Sequence, residues 1–273
     1  MIALVVAAAL GALEWRVVRK NVGVEWNGYG AIPGVWKRDS DAPMRYRVLV
    51  PWVLAVLARV FRFRVCPVHY QVVKTVLLAG ALAVAEVLLG RRGMLGLAVL
   101  VAVTFEFDYW DCYAELLGVG LVLWGCEGRV WAVMVGAAVW GLSRETAGIA
   151  PALGLVGGGL WCGVAGLAGP VVLGIVRLVQ GKAVLYCERW IQITLRISDL
   201  ALAGAREDVG PWVSVGWTMA TVAAVVLGRE AMPAALARTA GIAPVWLAAG
   251  WLMARARETR VFLPCALWLA AIV

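Results

Sequence analysis

From Ala147 to Leu178 the chain carries one charged side chain, Arg177, and runs through glycine, alanine, leucine and valine with a Gly157–Gly158–Gly159 triplet at its centre. Similar apolar stretches recur along the length, each closed by a short polar turn. Segments this poor in charge are at home in hydrocarbon, where every backbone N–H and C=O must be satisfied within the segment, and a helix does this. Composition agrees: 63% of 273 residues are hydrophobic and only 15% charged, against about 25% charged in soluble domains. The sequence therefore predicts an all-α, polytopic integral membrane bundle forming a single domain over residues 1–273, with about eight to ten transmembrane helices.

The expected spans are 2–14, 71–90, 94–105, 113–126, 130–142, two within 147–178, and then 212–227, 234–253 and 261–273. The stretch 147–178 is too long for one untilted crossing, and its glycines let two helices pack closely about a nearly chargeless turn. Residues 2–13 are as apolar as a signal-peptide core but lack preceding basic residues and a small-residue cleavage site, so a retained first span is expected. Residues 45–64, RYRVLVPWVLAVLARVFRFR, are apolar but studded with arginine. The apolar centre reaches roughly 17 Å as helix against about 30 Å of hydrocarbon, which suits an interfacial helix with snorkelling arginines. A second interfacial helix is expected near 185–205.

Six cysteines without a CxxC pair indicate neither a zinc site nor a disulfide framework, and a single histidine, His69, excludes a multi-histidine metal site. Chemistry is concentrated instead in FEFDYWDCYAE, residues 105–115, where four carboxylates interrupt a run free of Lys and Arg from Gly93 to Gly128. On a helix Asp108, Asp111 and Glu115 share one face. Such a face can hold a divalent cation, Mg or Mn, through oxygen ligands, or it can be a water-exposed turn inside an interfacial aromatic belt. The natural partners of these carboxylates are the arginines of two turns, Arg144-Glu145-Thr146 and Arg257-Glu258-Thr259-Arg260. Guanidinium groups bind phosphate through paired N–H donors.

With the spans above, both arginine turns, the acidic stretch and the long first loop emerge at one membrane face. That face carries most of the 25 Lys and Arg, leaving Arg91, Arg92, Arg129, Arg229 and Arg238 opposite. The excess reads either as a cytoplasmic face or as an attractor for an anionic lipid headgroup. The expected partners are membrane lipids, with no nucleic acid.

The layout over residues 2–151 resembles the GT-C superfamily of membrane glycosyltransferases, the protein-mannosyltransferase-like group. The resemblance runs through a first span, a long loop with acidic residues, a Pro-containing interfacial helix at 45–64, a span ending in RRG, a span ending in the acidic turn, and a span followed by SRET. It implies a multi-pass protein of the bacterial inner (cytoplasmic) membrane that takes a sugar from a polyprenyl-phosphate donor. By position, Asp39 or Asp41 would be the catalytic base, with Glu25 beside Tyr29 as a rival, and Asp108 or Asp111 the second acidic site. Arg45, Arg47, Arg144, Arg257 and Arg260 would contact phosphate, with Glu145 next to them. A scaffold subunit or a transporter is the competing class, but the expected spans hold few charges, chiefly Lys74 and Glu86, which weighs against transport.

Overall fold

The computed structural model describes residues 1–21, 47–102, 111–181, 210–253 and 263–272. Among the described residues the structure is helical throughout, without strands, in line with the all-α class. The helices are α1 (Ile2–Asn21), α2 (Leu49–Phe61), α3 (Pro67–Ala102), α4 (Asp111–Gly125), α5 (Val130–Gly141), α6 (Ala150–Gly158), α7 (Leu160–Gly166), α8 (Ala168–Gln180), α9 (Gly210–Gly228), α10 (Ala234–Thr239), α11 (Ile242–Met253) and α12 (Ala266–Ala270). Three stretches, Pro67–Ala102, Leu160–Gln180 and Trp212–Ala231, are long and apolar enough to cross a membrane. Their outer faces bear exposed valine, leucine and tryptophan, including Val99, Trp161, Leu178 and Leu227. Apolar surface on this scale is expected where lipid is the solvent.

Helix α1 shows how one stripe sets the packing. Ala3, Ala7, Gly11 and Glu14 are buried at helical spacing while Leu4, Val5 and Leu13 point outward. The small residues of the stripe let α1 lie close along α3, with Gly11 set against Thr75. Helix α3 is continuous only in name. Gly90 leaves the helical region at φ 73° and ψ −179°, a conformation open to glycine because it lacks a Cβ. From Lys74 to Gly90 a helix advances about 24 Å, yet Tyr113, in the first turn of α4, lies beside Lys74 and Glu14. The chain therefore reverses after Gly90, which makes the RRG turn a true boundary between helices.

Helix α4 is the axis of the bundle, buried along nearly its whole length among α3, α5 and α6. Its crossing with α5 is made by two glycines: a Cβ at Gly136 would stand 2.7 Å from the Gly118 carbonyl oxygen. Backbone thus meets backbone there, and the ends of the two helices are brought together. Beyond α5 the segment 147–178 breaks at Gly159, φ 84°, into α6 and the α7–α8 stretch, as the glycine triplet suggests. Trp140 of α5 stacks on Trp246 of α11 at 5.2 Å between ring centroids, fixing the last third of the chain to its middle.

Two expected spans take a different form. Residues 234–253 form two helices, because Pro244 has no N–H and its ring would clash with the carbonyl of Ala240, so the helix restarts at Ile242. Of the expected 261–273, the described residues form a 3-10 turn at 263–265 followed by the short α12, and Leu263, Cys265 and Trp268 are buried against the bundle. The α2–α3 junction is closed by a cap in which the Cys66 N–H donates to His69 Nδ1 at 3.2 Å and the Cys66 thiol lies 3.1 Å from the same nitrogen. This gives His69 a structural role, in the manner of a capping box. The expected interfacial helix near 185–205 lies outside the described residues.

Candidate functional site

The site is built at the bundle end where α3 and α4 begin and α5 finishes. Asp111 is the first residue of α4 and is wholly buried. Four residues on, Glu115 projects from the same helical face. The polar turn after α5 presents Arg144 to both: its Nε donates to Asp111 Oδ2, and its NH1 lies 2.9 Å from Glu115 Oε2. Arg47, just before α2, places NH1 3.0 Å from the same Asp111 oxygen. The backbone next to it is stitched to the same turn, since the N–H groups of Val48 and Leu49 donate to the Leu142 carbonyl at 2.9 and 3.1 Å. Glu115 is further held through a relay in which Trp140 Nε1 donates to Thr146 Oγ1 at 2.9 Å and that hydroxyl donates to Glu115 Oε1.

A second buried cluster adjoins the first through the opening turn of α4. Lys74 Nζ lies 2.8 Å from Glu14 Oε1, Gln71 Nε2 donates to Glu14 Oε2 at 2.9 Å, and the Tyr113 hydroxyl donates to Glu14 Oε1 at 3.1 Å. The ammonium of Lys74 also sits 5.3 and 5.4 Å from the ring centroids of Tyr70 and Tyr113, within cation–π range. Glu14 thereby ties α1 to both α3 and α4.

Together Glu14, Asp111 and Glu115 oppose Arg47, Lys74 and Arg144, three carboxylates against three cations, all buried. A lone ion here would cost several kcal/mol even after relaxation, so neutrality is the condition on which these groups stay charged. Among the described residues no three His, Cys, Asp or Glu side chains gather as a metal-binding group. Asp111 Oδ2 accepts from Arg144 and lies 3.0 Å from Arg47, and Glu115 Oε1 accepts from Thr146, so arginine supplies the positive charge beside these two carboxylates.

Of the residues singled out in the sequence, Asp111, Arg47 and Arg144 meet directly. Glu145 opens a 3-10 turn, Glu145–Ile149, immediately after Arg144. Asp39, Asp41, Asp108, Arg45, Arg257 and Arg260 lie outside the described residues. Sequence reading undervalued Glu14 and Lys74. The available signal was an acid within one apolar segment and a base within another, since charges placed so deep require partners. Glu86, the other intraspan charge noted, instead makes a loose surface pair with Arg91 at 3.6 Å. Comparison with protein-family models, curated proteins and solved structures finds no match.

Proposed function

We propose that this chain is a GT-C-like membrane glycosyltransferase, multi-pass in the bacterial inner membrane, that transfers a sugar from a polyprenyl-phosphate-linked donor to an acceptor at the membrane surface. The observation that carries this reading is the convergence of Arg47 and Arg144, from distant segments, on Asp111 at one end of the bundle. Two guanidiniums fixed side by side, with their approach set by a buried carboxylate, suit an anionic phosphate group. Helix α2, with Val56, Val60 and Phe61 exposed and Leu54 buried, would lie along the interface beside the donor headgroup.

The first loop fits the same scheme. One of its ends leaves α1, which Glu14 pins, and the other arrives at Arg47. Asp41 precedes Arg47 by six residues and Asp39 by eight, contour lengths of at most about 20 and 28 Å, so the length of chain permits either carboxylate to reach the arginines. In the reaction, Asp39 or Asp41 takes the proton from the acceptor hydroxyl as its oxygen bonds to the anomeric carbon of the sugar. The bond from that carbon to the phosphate oxygen breaks, and Arg47 and Arg144, with Arg45, Arg257 and Arg260, stabilise the departing phosphate. Asp111 acts by holding two of those arginines in position.

The test is sugar transfer by membranes carrying the purified full chain, supplied with a panel of short-chain polyprenyl-phosphate hexoses and pentoses. Turnover that falls at least about a hundredfold in Asp41→Asn or Asp39→Asn, the scale of a lost general base, supports the reading. Turnover unchanged in both variants removes the proposed base. Binding of the lipid phosphate without any transfer would make the chain a non-catalytic lipid-binding membrane protein.

A further inference from the structure

Charge does not balance at the end of the bundle opposite the candidate site. Among the described residues this end carries Arg91, Arg92, Arg129, Arg229 and Arg238 against Glu86, Glu127 and Glu230, a net charge of +2. Two of the glutamates are engaged, since Glu86 pairs with Arg91 and Glu127 Oε1 accepts from the Ala235 N–H at 2.8 Å. Arg129 lies over the ring of Trp124, 4.9 Å from its centroid. Among the described residues Arg229 and Arg238 have no carboxylate at ion-pair distance. Each is steered instead by a backbone carbonyl: Arg229 Nε donates to the Ala237 oxygen at 3.0 Å and Arg238 Nε to the Gly157 oxygen at 2.6 Å. An Nε held in this way orients the guanidinium and leaves its remaining N–H groups for another acceptor. Because residues 237 and 238 are consecutive, the two Nε atoms stand at most about 11 Å apart. One phosphate can bridge that gap, as each guanidinium reaches about 2 Å further and each N–H···O contact spans about 3 Å.

Depth along the helices says which anion belongs there. Arg229 lies near the end of Trp212–Ala231 and Gly157 just before the start of Leu160–Gln180, two of the stretches long and apolar enough to cross a membrane. Both guanidiniums therefore sit where hydrocarbon gives way to headgroups. Beside them Leu227, Leu160 and Trp161 are 84%, 67% and 72% exposed, a surface suited to acyl chains. We propose that Arg229 and Arg238 form a binding site for the phosphate of an anionic glycerophospholipid whose acyl chains lie along Leu160, Trp161 and Leu227. A lipid such as phosphatidylglycerol brings one negative charge and halves the excess at this end. A zwitterionic lipid carries its own ammonium and leaves the excess as it was, so charge balance selects the anionic headgroup. The shared phosphate would also tie three helices together, since Arg229 follows α9, Arg238 belongs to α10 and Gly157 to α6. This site is separate from the phosphate reading of the opposite end and does not rest on it.

The experiment is photocrosslinking of the purified full chain, in dodecyl maltoside micelles, to phosphatidylglycerol carrying a diazirine in its acyl chain. Adducts are located by peptide mass spectrometry, and the measurement is repeated with the matching phosphatidylcholine. The expected result is labelling around Leu160, Trp161 and Leu227 by phosphatidylglycerol, at least about fivefold above phosphatidylcholine, the scale of one arginine acting on an anionic headgroup. Arg229→Gln combined with Arg238→Gln should lower the phosphatidylglycerol adducts there to the phosphatidylcholine level. Arg91→Gln combined with Arg92→Gln removes the same charge from the same end and should leave most of the labelling in place. Equal labelling of the wild type by the two lipids overturns the site. Equal losses in the two double variants overturn it as well, because the attraction would then belong to the charge of the whole end. Displacement of the labelled lipid by millimolar glycerophosphoglycerol, the same headgroup without acyl chains, would assign the arginines to a soluble phosphate and overturn the lipid. Because the two lipids are compared on the wild type, the outcome does not depend on a variant folding.

Discussion

Changing Glu14 to Gln removes one buried charge with little change of shape, and the amide oxygen of Gln, in the place of Oε1, can still accept from the Tyr113 hydroxyl. At the 2.8 Å separation of Lys74 Nζ and Glu14 Oε1, the gross attraction is about 6 kcal/mol at an effective dielectric of 20. Much of this is offset by the cost of removing both ions from water. Breaking such a pair from one side costs about 3–5 kcal/mol, because it strands the other ion. Glu14→Gln and Lys74→Met should each lose an amount in that range. The double variant, with neither charge left, should recover at least about 2 kcal/mol relative to the sum of the singles. The assay is unfolding of the detergent-solubilised protein in mixed micelles, followed by helicity, for all four members of the cycle. Single losses below about 0.5 kcal/mol, or simple additivity, would refute the claim that these charges persist only as a pair.

Three further outcomes follow from the same geometry. Arg144→Lys keeps the charge but gathers its donors on one nitrogen, in place of the Nε that serves Asp111 and the NH1 that lies by Glu115, and it should destabilise by about 1.5–3 kcal/mol on the same unfolding assay. Gly136→Val drives a side chain into the Gly118 carbonyl, and should cost at least about 1–3 kcal/mol while leaving the total helicity of the membrane-inserted protein nearly unchanged. A Val48→Cys, Leu142→Cys pair, whose backbones are joined by a 2.9 Å hydrogen bond, should close a disulfide under mild oxidant, read as a mass loss of two hydrogens reversed by reductant.

The class of fold was legible in the sequence because hydrocarbon imposes one demand on every residue it surrounds, and mean hydropathy of +0.86 leaves few other solvents for this chain. Helix breaks at Gly90 and Gly159 were legible for a local reason, since glycine in an apolar run marks a turn or a close approach. The two helices within 234–253 were less so, as a Pro early in a segment is compatible with either a break or a first turn. The short α12 was not legible, because lipid and a bundle interior select the same apolar side chains. Within the site, Asp111 and Arg144 were marked by their scarcity, and the spacing of Asp111 and Glu115 put them on one face.

What the sequence alone determined is a helical chain of membrane character whose apolar segments are closed by acidic and arginine-bearing turns, because hydropathy and helical period act on neighbours a few residues apart. Only the tertiary structure decided which charges meet. Pairing of Glu14 with Lys74 and of Asp111 with Arg47 and Arg144 depends on how α1, α3, α4 and α5 cross, and those crossings are set by small residues such as Gly11, Gly118 and Gly136 that carry no charge themselves. Electrostatic energy varies with distance in space, and distance in space between remote segments is a product of packing.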